Sequence, residues 1–130
     1  MRVLLGIVAG FVVAVACVFA IEAVSHILFP APPDMNVLDP AQVERLMSTM
    51  PMAALGFVIL AWFVGSLAGA WVAIAIARRA LAGWVVALLV VCGGIWTMTT
   101  IPHPAWMWVC GILLPLIAGW MAQRFSSVPA

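Results

Sequence analysis

Three side chains in this sequence have the types that do chemistry: Glu22, His26 and His103. Glu22 and His26 stand four residues apart, so on a helix they share one face a turn apart. Two imidazoles with a carboxylate form a ligand set used by many divalent transition-metal sites, and two histidines from different helices are also a haem ligand pair. A carboxyl group held near lipid beside an imidazole is, in addition, a known means of exchanging protons or cations in transport. All three chemistries require Glu22 or His26 to face the interior of the fold. The simplest use of the same residues is structural, with Glu22 hydrogen-bonded to His26, Ser25 or the segment Thr97 to Thr100, locking one end of the molecule.

The surroundings of these residues define the class of protein. Of 130 residues, 68% are hydrophobic and 7% charged, and the mean hydropathy is +1.29, beyond what a water-soluble core of this size needs. The sequence therefore predicts one all-α integral membrane domain. Five arginines stand against four acids, with no lysine, for a net charge of +1. Neither a nucleic-acid surface nor an acidic mimic of one is available, so no nucleic-acid partner is expected.

Four transmembrane spans are expected, at about residues 3–29, 52–77, 81–98 and 105–121, joined by short connections into an antiparallel bundle. The first resembles a secretory signal at its start, with Arg2 followed by an apolar run and Val18-Phe19-Ala20 as a cleavage-like site. Its apolar run continues to Phe29, however, and it is read as an uncleaved span. At 1.5 Å per residue it would be about 40 Å long against a hydrocarbon core of about 30 Å, which implies tilt or projection. Pro30, Pro32 and Pro33 end it. Residues 40–50 then read as a short amphipathic helix between spans 1 and 2. Asp39 serves as N-cap, Pro40 is the first helical residue and Gln42 takes the capping-box position, while Val43, Leu46, Met47 and Met50 form the apolar stripe. Its expected place is flat on the membrane interface or as a cap over the bundle. In the last span, Pro115 predicts a kink.

Small residues mark where helices approach one another. Gly6, Gly10 and Ala14 recur at a spacing of four in the first span, and Ala61, Gly65, Gly69 and Ala73 do so in the second, where Gly65 to Gly69 forms a GxxxG sequence. The spacing leaves open whether each face meets another helix of this chain or a second copy. Cys17, Cys92 and Cys110 lie inside apolar runs without metal-ligand spacing and read as small hydrophobes. Trp84 and Trp120 toward one interface, and Trp96, Trp106 and Trp108 toward the other, read as belt anchors.

Arginine placement sets the expected orientation. With both termini on one side, that side carries Arg2, Arg78, Arg79 and Arg124 and the opposite side only Arg45, so both termini are expected to be cytoplasmic in a bacterial-type inner (plasma) membrane. Glu22, His26 and His103 then share the outer end, with Glu22 about 28 Å along its helix from Val3.

Four spans in a short chain with a single intramembrane Glu in the first resembles, in layout, the small multidrug resistance transporters. That resemblance implies a drug- and proton-binding role for Glu22 within an antiparallel dimer. This sequence departs from the pattern in three ways: Glu22 sits late in its span, residues 35–50 add a loop and helix, and the arginine bias favours a single orientation. Enzyme motifs are missing, with no HExxH, no Ser/His/Asp arrangement and no phosphate-binding glycine loop. The first expectation is therefore a non-enzymatic accessory or stabilising subunit, packing in the lipid bilayer against other membrane subunits or as a homo-oligomer, with no cofactor. Alternatives are a small ion- or proton-coupled transporter using Glu22 and His26, and a metal- or haem-binding membrane protein using Glu22, His26 and His103.

Overall fold

A computed structural model describes residues 1–129. They form five helices: α1 (Arg2–Leu28), α2 (Pro40–Thr49), α3 (Met52–Ala77), α4 (Ala80–Thr100) and α5 (Ala105–Phe125). Helices α1, α3, α4 and α5 are long and apolar enough to cross a membrane, and they make the chain a multi-pass helical membrane protein.

Helix α3 is the hub. It packs against α1, α4 and α5, whereas α1 touches α3 and α4 but not α5 among the described residues. Small side chains set this arrangement, because where Cβ atoms are missing or short, two backbones come together and dispersion contacts accumulate in lipid. A Cβ built on Gly6 would lie 2.7 Å from the Ala73 carbonyl oxygen and 2.9 Å from Ala77 Cβ. One on Gly10 would strike the Gly69 carbonyl oxygen and come within 2.7 Å of Ala73 Cβ. On the other side of the seam, a Cβ on Gly65 would meet the Ala14 carbonyl oxygen at 2.8 Å. Positions that rise along α1 thus meet positions that fall along α3, and the partner of each small-residue face lies in the same chain. Gly6, Gly10 and Ala14 are the buried residues of α1; its large side chains Leu4, Leu5, Val8, Val12 and Phe19 point away, exposed.

The second packing centre is Trp62. Its indole is buried among Leu55, Ile59, Met98 and Met107 and lies across two glycines of the neighbouring helices. A Cβ on Gly94 of α4 would meet the ring at 3.2 Å, and one on Gly111 of α5 at 2.7 Å. Two polar contacts tie the same helices together. The buried Ser66 hydroxyl donates to the Pro115 carbonyl oxygen at 2.9 Å, and Trp84 Nε1 donates to Gln123 Oε1 at 2.8 Å. Pro115 lies inside α5, which remains one continuous helix from Ala105 to Phe125.

Helix boundaries differ from the sequence expectation mainly at the ends of α4 and α5. Thr99 and Thr100, beyond the expected end of the span at residue 98, continue α4; their hydroxyls donate back to the Trp96 carbonyl at 2.8 Å each instead of reaching across the connection. Helix α5 extends beyond residue 121 to Phe125, where Gln123 is held by Trp84. The turn between α3 and α4 is built on Arg78, whose φ of 56° is left-handed, a conformation normally given to glycine at a helix C-terminus and costing other residues about 1–2 kcal/mol.

Helix α2 starts as its sequence indicates. Asp39 is the N-cap and its side chain accepts from the Ala41 N–H at 3.0 Å. Gln42 does not close a capping box on the Asp39 N–H, which instead bonds to the Asn36 carbonyl. Its Oε1 accepts from the Asn36 N–H at 2.8 Å while its Nε2 donates to Asp39 Oδ2 at 3.1 Å, so the preceding loop is drawn onto the helix start. Met47 and Met50 pack on the Trp62 cluster, and Glu44, Arg45, Ser48 and Thr49 are exposed.

Candidate functional site

Glu22 sits six residues before the end of α1. Beyond the glycine seam larger side chains hold the helix: Val18 and Ile21 pack on the Trp62 cluster, and Phe29 stacks at a tilt on Phe57, ring centroids 6.2 Å apart. Helix α1 is therefore fixed on both sides of the carboxyl group, which is half-buried. His26, one turn further on, is exposed.

The Glu22 carboxyl group makes no hydrogen bond with another described side chain or backbone group. The expected lock against the end of α4 is not formed. Its hydroxyls are spent locally, with Thr97 Oγ1 donating to the Gly93 carbonyl at 2.9 Å and Thr99 and Thr100 bonding to Trp96. In lipid, a threonine has its own helix carbonyls as the nearest acceptors, and those bonds close without ordering a second helix.

His103 lies in the connection between α4 and α5, half-buried. Its Nδ1 is 2.6 Å from the Ile101 carbonyl oxygen. A carbonyl only accepts, so Nδ1 carries the proton and Nε2 is the nitrogen left to meet a ligand or donor. Glu22, His26 and His103 are not brought together as one ion site: among the described residues no three His, Cys, Asp or Glu side chains are grouped closely enough to hold a metal. The reason is architectural. Helix α1 leans on α3 and does not reach α5, the helix that follows the His103 connection.

The five tryptophans expected in the belts differ in their surroundings. Trp96 and Trp120 are exposed, as belt residues would be, Trp106 and Trp108 pack partly against the Trp62 cluster, and Trp84 is half-buried and bonded to Gln123. Trp62 has no sequence signal of its own, since an indole in an apolar span reads the same whether it faces lipid or core. Its one hint is indirect, namely glycines in two other spans, Gly94 and Gly111, able to receive a large ring.

Two hollows open at the surface. One, between the proline-rich loop and α2, is lined by Pro32, Asp34, Met35, Gln42, Arg45 and Leu46 together with Thr49. The other lies at the far end of the bundle, between Trp120 and Pro129. Neither is lined by Glu22, His26 or His103. What the arrangement offers chemically is a single half-buried carboxyl group, presented from an apolar helix with an imidazole one turn away. In comparisons with protein-family models, characterised proteins and solved structures, the chain matches none of them.

Proposed function

We propose that this protein is a small, non-enzymatic accessory or stabilising subunit of a bacterial-type inner membrane. Its four spans form an antiparallel bundle with both termini cytoplasmic, and α2 lies at the outer interface. The observation that carries this reading is the Glu22 carboxyl group, half-buried and without a hydrogen-bond partner among the described residues. An ionisable group within a membrane span is costly unless it is paired, and it marks a place where the chain meets something polar. The exposed flank of α1, with Phe19 one turn before Glu22 and Phe11, Val8 and Leu4 further back along the same face, supplies an apolar face around that one polar point. A transmembrane helix of a larger assembly, or of a second copy, donating a hydrogen bond to Glu22 would complete it.

Native mass spectrometry of the gently solubilised protein tests this directly. A complex with a larger membrane protein, or a homo-oligomer, is expected, and Glu22→Leu should release the chain as monomer. A chain that arrives as monomer in both forms, and whose proteoliposomes show a proton-driven flux abolished by Glu22→Gln, would replace the subunit reading with the carrier one. The i, i+4 placement of His26 and Glu22 is the observation that favours this second reading.

A further inference from the structure

The contacts of the seam sort the charges of this chain by end. Gly6 meets Ala77, α4 starts at Ala80, and Trp84 bonds to Gln123; Arg2, Arg78, Arg79 and Arg124 therefore share one end of the bundle. All four are exposed. The four acids, Glu22, Asp34, Asp39 and Glu44, all lie between the last turns of α1 and the middle of α2, at the opposite end. Among the described residues the arginine end has no acidic side chain to neutralise it, and none of its guanidinium groups makes a hydrogen bond with them.

Two further observations say what this end meets. Arg78 occupies a left-handed position where glycine would be free of strain, so the turn keeps a cation at a backbone cost. At the same end of the bundle, Val128 folds back onto Ala70, Ile74 and Ala122 and closes a hollow lined by Trp120, Gln123, Arg124, Ser126, Val128 and Pro129. Trp120 is exposed on the last turns of α5, at the level where an indole sits between acyl chain and headgroup. The Ser126 hydroxyl is spent on the Gln123 carbonyl at 2.7 Å, which leaves the Arg124 guanidinium and the Gln123 amide N–H as donors; next to an indole, at the end of two apolar spans, they match a phosphodiester attached to acyl chains.

We propose that the arginine end binds the phosphate of anionic phospholipids, with Arg124 and Trp120 at the headgroup hollow and Arg78 and Arg79 beside it. Guanidinium groups pair bidentately with phosphate oxygens. With no acidic side chain among the described residues of this end, a headgroup that brings its own ammonium or choline cation finds no side-chain counter-ion, so the surface selects net-anionic lipids over zwitterionic ones. This inference does not depend on what Glu22 meets.

Native mass spectrometry of the full chain, in micelles holding equal amounts of phosphatidylglycerol and phosphatidylcholine, reads the retained lipid. The wild-type chain should retain phosphatidylglycerol preferentially. Arg124→Gln, Arg79→Gln and Arg78→Gly should each reduce that preference roughly fivefold, the value of one cation near an anionic surface. Arg78→Gly removes the charge while relieving the backbone, so it loses lipid without losing the fold, and circular dichroism checks that it stays folded. Arg45→Gln, at the opposite end, should leave the preference unchanged. The proposal is overturned if the wild type shows no preference, or if Arg45→Gln matters as much as Arg124→Gln. Displacement of the lipid by millimolar inorganic phosphate overturns it as well, because it identifies a free-anion site instead.

Discussion

Replacing Gly10 by Ala should destabilise the fold, although the same replacement at Gly93 should stabilise it. Both residues lie well inside a helix, and alanine is favoured over glycine there by about 1 kcal/mol. What separates them is their surroundings. At Gly93 a Cβ meets nothing within 4 Å, so Gly93→Ala keeps the whole helix gain. At Gly10 it strikes the Gly69 carbonyl oxygen and lies 2.7 Å from Ala73 Cβ, and neither obstacle is a side chain able to rotate away. Overpacking of this kind costs about 1–3 kcal/mol, and rigid backbone on the receiving side places Gly10 in the upper part of that range. The helix gain offsets part of it, leaving Gly10→Ala about 1–2 kcal/mol below wild type and about 2–3 kcal/mol below Gly93→Ala. Titration with SDS in mixed micelles, followed by tryptophan fluorescence, measures this difference as a shift in unfolding midpoint. If Gly10→Ala unfolds at or above the midpoint of Gly93→Ala, the α1 and α3 backbones are not in contact at this point and the account of the seam is wrong.

Three other perturbations probe separate parts of the fold. Ser66→Ala removes the donor to the Pro115 carbonyl, and in the same titration it should cost about 0.6–1.7 kcal/mol, the range for hydrogen bonds between membrane helices; no loss would mean that α5 does not need this tie. Trp62→Ala empties the space between Gly94 and Gly111 and should cost about 3–5 kcal/mol as a large-to-small core change, whereas Trp96→Ala, at an exposed position, should change the midpoint little; equal losses would contradict the placement of Trp62. Asp39→Ala removes the cap of α2 and should weaken that helix by about 1 kcal/mol, seen as faster amide hydrogen exchange over residues 41–44 with the rates in α3 unchanged.

The four long helices are legible in the sequence because their apolar runs are long and are interrupted by prolines and arginines. Asp39 is legible as a cap because an acid followed by proline has few other uses at the start of an amphipathic stretch. Small residues spaced by four mark close-packing faces on α1 and α3, but spacing does not say that Gly10 meets Gly69, a pairing set by how far along α3 the first helix docks. Burial within the spans is harder to read. In a soluble protein the polar face identifies the core by exclusion, but here both faces are apolar, and Trp62 cannot be told from Trp71, which is 58% exposed. The histidines fail for another reason. Sequence topology places Glu22, His26 and His103 at one end, yet sharing an end is a weaker condition than sharing a site. Helix α1 sits to the side of the bundle, and the threonines that were candidate partners for Glu22 satisfy themselves on their own helix.

The seam between α1 and α3 also has a history within each molecule's synthesis. Its α1 half is complete once Ala14 has been made, but its α3 half ends at Ala77, 49 residues beyond the end of α1. At translation speeds of about 5–20 residues per second, α1 waits in the membrane for roughly 2–10 s with Gly6, Gly10 and Ala14 uncovered. During that interval its groove is open to any neighbouring helix with small side chains, including α3 of another chain emerging nearby. The residues that give this fold its closest contact are thus the ones left uncovered longest while the chain is made.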